Sequence, residues 1–227
     1  MKYKCVIFDV GYTLVEHNDK KETEMISKLL NIPYSEDLVN EISNFWKKSA
    51  EYTKEIIVTK EKYFSILEKM FPCMKKYKIN TEDFFMALCN KEPVGLYDEV
   101  IEILEWLKKN NIKMFTLSNW FECNQQEELK KLNIYNYFEK IYGWDNKYAK
   151  PNPMVIREKI LNQYNNNEIL LIGDGLEKDI KCAINAKIDS CWINRKNLDN
   201  QSNITPTYVI NNLLEIKEII RKKGCWL

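Results

Sequence analysis

Short apolar runs that stop on small or acidic residues recur along this chain, with amphipathic segments between them, and that alternation dictates the fold. The runs are residues 3–9 (YKCVIFD), 113–119 (KMFTLSN), 168–174 (EILLIGD), 189–194 (DSCWIN) and 207–210 (TYVI), with a shorter one at 139–143 (EKIYG). Apolar runs without alternation belong to strands covered on both faces, as in parallel sheets. The intervening segments have helical periodicity. In 97–110, Val100, Ile101, Leu104 and Leu107 share one face. Residues 122–133, 176–187 and 211–223 read the same way, and 153–164 opens with Asn152 as N-cap and Pro153 at the first helical position. Strands alternating with helices predict a Rossmann-like, doubly wound parallel α/β sheet.

Residues 18 to 92 break the alternation, because only helical patterns occur there. Leu38, Val39, Ile42, Phe45 and Trp46 form one stripe, and Tyr63, Phe64, Leu67, Met70 and Phe71 another. Asn80-Thr81, followed by Glu82 and Asp83, reads as the capped start of a third helix carrying Phe84, Phe85 and Leu88. The expectation is a core domain of residues 1–16 and 93–227 with a helical-bundle cap, 17–92, inserted after the first strand at the carboxyl edge of the sheet. The cap's aromatic stripes read as its own core.

The balance of charge excludes several functions. A formal net charge of +1 leaves no basic footprint for nucleic acid. Runs as short as Ile169–Ile172 cannot span a bilayer, so no membrane partner is expected. The first strand begins too early to leave room for a signal peptide. The seven cysteines, Cys5, Cys73, Cys89, Cys123, Cys182, Cys191 and Cys225, are odd in number and contain no C-x-x-C pair. That argues against zinc and against a disulfide framework, and for reduced thiols in a cytoplasmic protein. A single histidine, His17, argues against histidine-based triads and multi-histidine metal sites.

Ligands of open α/β sheets bind where the strands end. The first strand here ends on Asp9, with Gly11 and Thr13 after it. The second ends on Ser118-Asn119, a loop carries Lys150-Pro151, and a later strand ends on Gly173-Asp174-Gly175 with Asp179 beyond. Asp9 and Asp174 meeting at one edge would repel unless a cation lay between them. Magnesium suits oxygen ligands and a phosphate oxygen. The Ser118 hydroxyl, backbone amides and the Lys150 ammonium would hold the remaining oxygens of a transferring group, leaving Asp9 to attack it. Each residue also has an ordinary reading. Asp9 can cap a turn, Gly173-Asp174-Gly175 can be a tight turn, and Asp179 can serve a helix dipole. Lys150 can be a solvated loop lysine, with Lys147 as a rival.

Taken in order, FDVGYTL, TLSNW, AKPNP and LLIGDGLEKDI resemble the four motifs of the haloacid dehalogenase superfamily, and the helical insert resembles its type-one cap. The resemblance implies a magnesium-dependent hydrolase, a phosphatase of a small phosphorylated metabolite that works through an aspartyl-phosphate. By that resemblance Asp9 is the nucleophile and Lys150 steadies it. Thr13, Ser118 and Asn119 serve substrate binding, Thr13 by supporting the loop. Asp9, the Gly11 carbonyl, Asp174 and Asp179 hold the metal. The partner is a small molecule, and the oligomeric state lies between monomer and homodimer.

One position departs from the pattern. The phosphatases of this superfamily carry a second aspartate two residues after the nucleophile as general acid and base, and here that residue is Gly11. Such assistance is worth about 10²–10⁴ in rate. Three readings follow: activity persists with another proton carrier or an acidic leaving group, the chemistry is that of a metal-independent dehalogenase or of a phosphonatase with a cap lysine, or the protein binds without turnover. The acidic fourth motif speaks for metal and against a dehalogenase. Glu16, His17 and Tyr12 are the candidate substitutes, although the ordinary reading of Glu16 and His17 is an exposed linker. Trp120 reads as packing, with walling of the pocket as the alternative.

Overall fold

The computed structural model describes residues 2–53, 59–143 and 148–221. Six strands form one parallel sheet: β1 (Cys5–Phe8), β2 (Lys113–Leu117), β3 (Lys140–Tyr142), β4 (Ile169–Gly173), β5 (Asp189–Ile193) and β6 (Tyr208–Ile210). Their order is β3-β2-β1-β4-β5-β6. The chain winds outward from β1 in one direction, then returns to β4 on the other side. That reversal opens a crevice at the carboxyl ends of the two central strands.

Between β1 and β2 lie α1 (Asp19–Leu30), α2 (Glu36–Thr53), α3 (Lys60–Met70), α4 (Cys73–Tyr77) and α5 (Thr81–Asn90). Asn18, Thr59 and Asn80 start α1, α3 and α5 by accepting from the N–H groups of Lys21, Lys62 and Asp83, which satisfies donors that a helix leaves unpaired. The insert has an apolar core of its own, including Ile26, Leu38, Ile42, Phe45, Tyr63, Leu67, Phe71 and Phe84. The stripes on α2, α3 and α5 meet there. Helix α1 has no such stripe, because its buried face is Glu22, Thr23, Ile26 and Ser27. A mostly polar buried face has a cause outside the helix, which the site below supplies. The two chain segments that join the insert to the sheet lie side by side. Val15 pairs with Leu96, and the Glu16 N–H donates to the Gly95 carbonyl at 2.9 Å.

The other helices cover the sheet. Side chains alternate across the pleat, so Val6, Phe8, Leu170 and Ile172 pack on one face against α6 (Val100–Lys109), α7 (Glu122–Lys131) and, further on, α10 (Ile216–Arg221). Cys5, Ile7, Ile169 and Leu171 pack on the other against α8 (Met154–Lys159) and α9 (Lys181–Ala186). Three helices differ from the sequence expectation. Helix α8 stops at Lys159, and Pro153 precedes its first residue while Asn152 Oδ1 accepts from the Met154 N–H at 3.0 Å. Residues 176–187 are not one α-helix. They open as a π-helical turn, Leu176–Ile180, in which Asp179 and Ile180 both donate to the Gly175 carbonyl. Residues 211–223 open as a 3₁₀ turn, Leu213–Glu215, capped by Asn212. Among the described residues no helix is long and apolar enough to cross a membrane.

Candidate active site

Strand register brings the candidate residues to one level. Phe8 is paired with Thr116 of β2 and with Ile172 of β4, so Asp9, Ser118 and Asp174 leave the sheet at the same edge. Carboxylate oxygens of Asp9, Asp174 and Asp179 lie within 4.8 Å of one another. Lys150 Nζ donates to Asp9 Oδ1 at 2.6 Å and to Asp179 Oδ1 at 2.5 Å, with a side chain only 2% exposed. Lys150 is therefore no solvated loop residue. Its rival, Lys147, lies outside the described residues.

Each of these side chains is held from behind. The Asn119 carboxamide donates to the Lys150 carbonyl at 3.0 Å and accepts from the Lys150 N–H at 2.7 Å. Its amide thus copies a strand pairing and fixes the lysine loop to the end of β2, a role that the motif alone did not reveal. Thr13 is fully buried beneath the nucleophile rather than in the pocket wall. Its hydroxyl donates to Asp9 Oδ2 at 3.1 Å, and its carbonyl accepts from Arg195 Nη2 at 2.8 Å. Asp179 Oδ2 accepts from the Gly175 N–H at 2.8 Å. The π-helical turn swings this residue inward, which an α-helical start would not do.

Gly173 is required by that approach. A Cβ at Gly173 would lie 2.4 Å from Asp179 Cγ. A Gly173→Ala protein should therefore displace Asp179 from Lys150, lose about 1–3 kcal/mol of stability and lose activity with it. Thermal melting beside a steady-state assay checks this.

The electrostatics favour a cation. Burial pushes the Asp174 carboxyl up to about 7, with Asp9 and then Asp179 adding repulsion. Burial likewise pushes Asp179 up, against the pull of Lys150. Burial alone would favour a neutral amine at Lys150, but Asp179 and Asp9 outweigh it, raise its pKa and keep it an ammonium. Three carboxylates outnumber the two ammoniums that act on them, Lys150 and Lys178, and the excess negative charge is what a cation neutralises.

The residues around Gly11 form a second layer of the pocket. His17 is no exposed linker residue, its side chain being 11% exposed. Its Nδ1 lies 2.6 Å from Oε1 of Glu22, which is itself fully buried on α1. Glu22 Oε2 accepts from Trp46 Nε1 at 3.2 Å and pairs with Lys91 Nζ at 3.3 Å. This network explains the polar buried face of α1. Glu22 and Lys91 carry no motif, and sequence reasoning passed over both. Asp9, Gly11, His17, Ser118, Asn119, Trp120, Lys150, Asp174 and Asp179 line one pocket together with Phe45 and Trp46 of α2. Trp120 both walls that pocket and packs into the aromatic cluster of the insert, 5.5 Å from Trp46 and 5.6 Å from Tyr63 between ring centroids.

Known proteins resemble this chain in sequence and in fold. A family model described as haloacid dehalogenase-like hydrolase matches residues 6–193. The chain is 29% identical over 118 residues to the pyrimidine 5'-nucleotidase YjjG of Escherichia coli (strain K12), a match spanning 50% of this chain and 52%, about half, of that protein. It is 24% identical to the pyrimidine 5'-nucleotidase PynA of Streptococcus pneumoniae (strain ATCC BAA-255 / R6) across 98% of this chain and 97% of that one. The solved structure of YfnB from Bacillus subtilis, bound to magnesium, superposes with a TM-score of 0.78 at 21% identity, over 97% of this chain and all of the other. At that identity the likeness is one of fold.

Proposed function

Because this chain belongs to the haloacid dehalogenase-like hydrolase family, we propose that it is a magnesium-dependent phosphomonoester hydrolase that attacks a small phosphorylated metabolite with Asp9. The observation that carries this reading is the meeting of Asp9, Asp174 and Asp179 with Lys150 at the carboxyl edge of the sheet. The substrate class is a pyrimidine nucleoside monophosphate. Support comes from the two nucleotidases among the relatives and from Trp46 and Trp120, flat surfaces suited to a base in the same pocket. The proposal keeps the division into a core, 1–16 and 93–227, and a cap, 17–92, that closes over the substrate and excludes water. It also keeps a cytoplasmic setting, with which the six free cysteines among the described residues agree.

The residues fit a magnesium ion. The donors are hard oxygens, and the excess negative charge at Asp174 is what a cation relieves. Asp9 and Asp174 would hold it. Asp179, the most deeply buried of the three and held by Lys150 and by the Gly175 N–H, would act from behind them. A bound magnesium would supply charge neutralisation beside the nucleophile and an anchor for one phosphate oxygen.

The rest is the work of the chain. Lys150 and Thr13 each hold one oxygen of Asp9, so the carboxylate cannot rotate away from the substrate. The Ser118 hydroxyl and the backbone at Asn119 would bind the equatorial phosphate oxygens, and the Lys150 ammonium would balance charge as it develops. Asp9 attacks phosphorus and the ester oxygen leaves. Water then hydrolyses the aspartyl-phosphate and returns Asp9 as a carboxylate. A metal-independent dehalogenase runs against the three crowded carboxylates, which it would leave with only Lys150 and Lys178 to balance them.

Release of inorganic phosphate from a panel of nucleoside monophosphates, with magnesium and with chelator, tests the proposal. Magnesium-dependent release, fastest with pyrimidine nucleotides, is expected. Failure with every phosphomonoester would point to a binding protein on this scaffold, and release indifferent to chelator would overturn the metal assignment.

A pH effect follows. The folded-state pKa of Asp174 is raised, so its ionised form opposes folding, and metal-free stability falls as pH rises between the ordinary carboxylate value and about 7. Magnesium binds the ionised form. Thermal melts should therefore show a larger stabilisation by magnesium at about pH 8 than at about pH 5.

A further inference from the structure

The site lacks a proton carrier where Gly11 stands, and the structure fills that space. A Cβ on Gly11 would lie 2.7 Å from His17 Nε2 and 3.2 Å from His17 Cδ2. The imidazole edge thus occupies the direction that a side chain at position 11 would take. We propose that His17, held by Glu22, is the general acid and base of this hydrolase, with its Nε2 replacing the aspartate that Gly11 lacks. The inference rests on the phosphomonoesterase reading above and names a further catalytic residue within it.

The ring is oriented for the task. Glu22 is buried, which alone would raise its pKa, but the hydrogen bond and charge of His17, with Lys91, hold it down at about 2. An ionised carboxylate only accepts, so His17 Nδ1 carries the hydrogen and donates it to Oε1. That leaves Nε2 as the working atom, on the pocket side of the ring beside Gly11. Tyr12, in the left-handed region with φ 59°, covers the imidazole at 4.6 Å between centroids, and Trp46 flanks it at 5.4 Å. Trp46 and Lys91 also bind Glu22, so both rotation of the ring and withdrawal of its carboxylate are blocked. Glu22 is a positioning residue and His17 the group that meets the substrate.

The proton steps balance. As Asp9 bonds to phosphorus, the bond from phosphorus to the ester oxygen breaks, and that oxygen takes the proton from Nε2 and leaves as an alcohol. Water then attacks the phosphorus of the aspartyl-phosphate and gives one proton to Nε2. The bond from phosphorus to Asp9 breaks, and carboxylate and imidazolium are both restored.

The test compares an alkyl phosphomonoester, whose leaving oxygen needs a proton, with p-nitrophenyl phosphate, whose leaving oxygen does not. The proteins are the parent, His17→Ala, His17→Gln, Asp9→Asn and the double variant Gly11→Asp/His17→Ala, each with its melting temperature recorded. With His17→Ala and His17→Gln we expect alkyl-ester turnover to fall about 10²–10⁴-fold, while the initial burst of nitrophenolate keeps its rate and only the steady state slows. The double variant should regain most of the loss, because removing the imidazole makes room for an aspartate. Gly11→Asp alone should not gain, because its Cβ meets the ring. Unchanged alkyl-ester turnover in both His17 variants, or an equal loss in turnover and burst without rescue, overturns the role of His17. If Asp9→Asn is inactive while both His17 variants keep the parent's alkyl-ester turnover, the phosphomonoesterase reading stands and this inference alone fails. If the parent hydrolyses neither ester, both fail.

Discussion

An Asp9→Asn protein should be folded, at least as heat-stable as the parent, and slower by roughly 10⁴-fold or more in phosphomonoester hydrolysis, the scale on which loss of a nucleophile is felt. The carboxamide has the same shape but no nucleophilic oxygen. Its partners can be kept, since the amide oxygen can face Lys150 Nζ while the amino group donates to the Thr13 hydroxyl, which accepts as well as donates. Stability should not suffer, because Asp9 is after burial the largest cause of the raised pKa at Asp174. Removing that charge relieves a repulsion. A melting curve and a steady-state assay on the same preparation read both effects. Wild-type rates in the variant would place the nucleophile elsewhere, and a marked loss of stability would mean that the carboxylate cluster is not repulsive as described.

Lys150→Met should have the largest effect on stability. The side chain is fully buried and its ammonium is the cation that bonds both Asp9 and Asp179. Methionine keeps much of the stem's volume, so the loss reports charge rather than packing. Breaking a buried ion pair from one side costs about 3–5 kcal/mol, which in a chain of this size lowers the melting temperature by roughly 6–20 °C. Magnesium should narrow the gap, because it opposes the same excess of negative charge. Activity should fall by about 10²–10³-fold, as when one preorganised donor to a developing charge is removed. Equal melting temperatures for variant and parent, with and without magnesium, would show that Lys150 does not compensate the carboxylates.

The strands were legible because a doubly covered parallel sheet writes each strand as an unbroken apolar run, and the residue that ends each run is also the residue that reaches the site. Asp9, Ser118 and Asp174 could therefore be placed at one edge before any register was known. Side chains that act through the fold were less legible. Asn119 was read for its backbone, yet its carboxamide clamps the lysine loop. Thr13 was read as a support of the loop, and its hydroxyl bonds Asp9 from below. Glu22 sits five residues after His17 in a helix with no apolar stripe, and Lys91 is at the far end of the insert, so their convergence on one ring is set by tertiary packing. Sequence named three substitutes for the missing aspartate, and only the space around Gly11 separates them, since His17 is what fills it. Helix α8 was overextended because the Asn-rich residues after Lys159 bond back on themselves, as Asn162 does to the Glu158 carbonyl.

The proposed reaction requires that Asp9 become covalently phosphorylated during turnover. Acid quenching of the enzyme in the presence of magnesium and its best nucleotide substrate, followed by mass spectrometry of the proteolysed chain, measures this directly. A hydroxylamine-labile phosphoryl group is expected on the peptide that contains Asp9, absent in Asp9→Asn and, when p-nitrophenyl phosphate replaces the nucleotide, enriched in His17→Ala. Steady hydrolysis with no phosphoryl group on that peptide in any of the three proteins would contradict it.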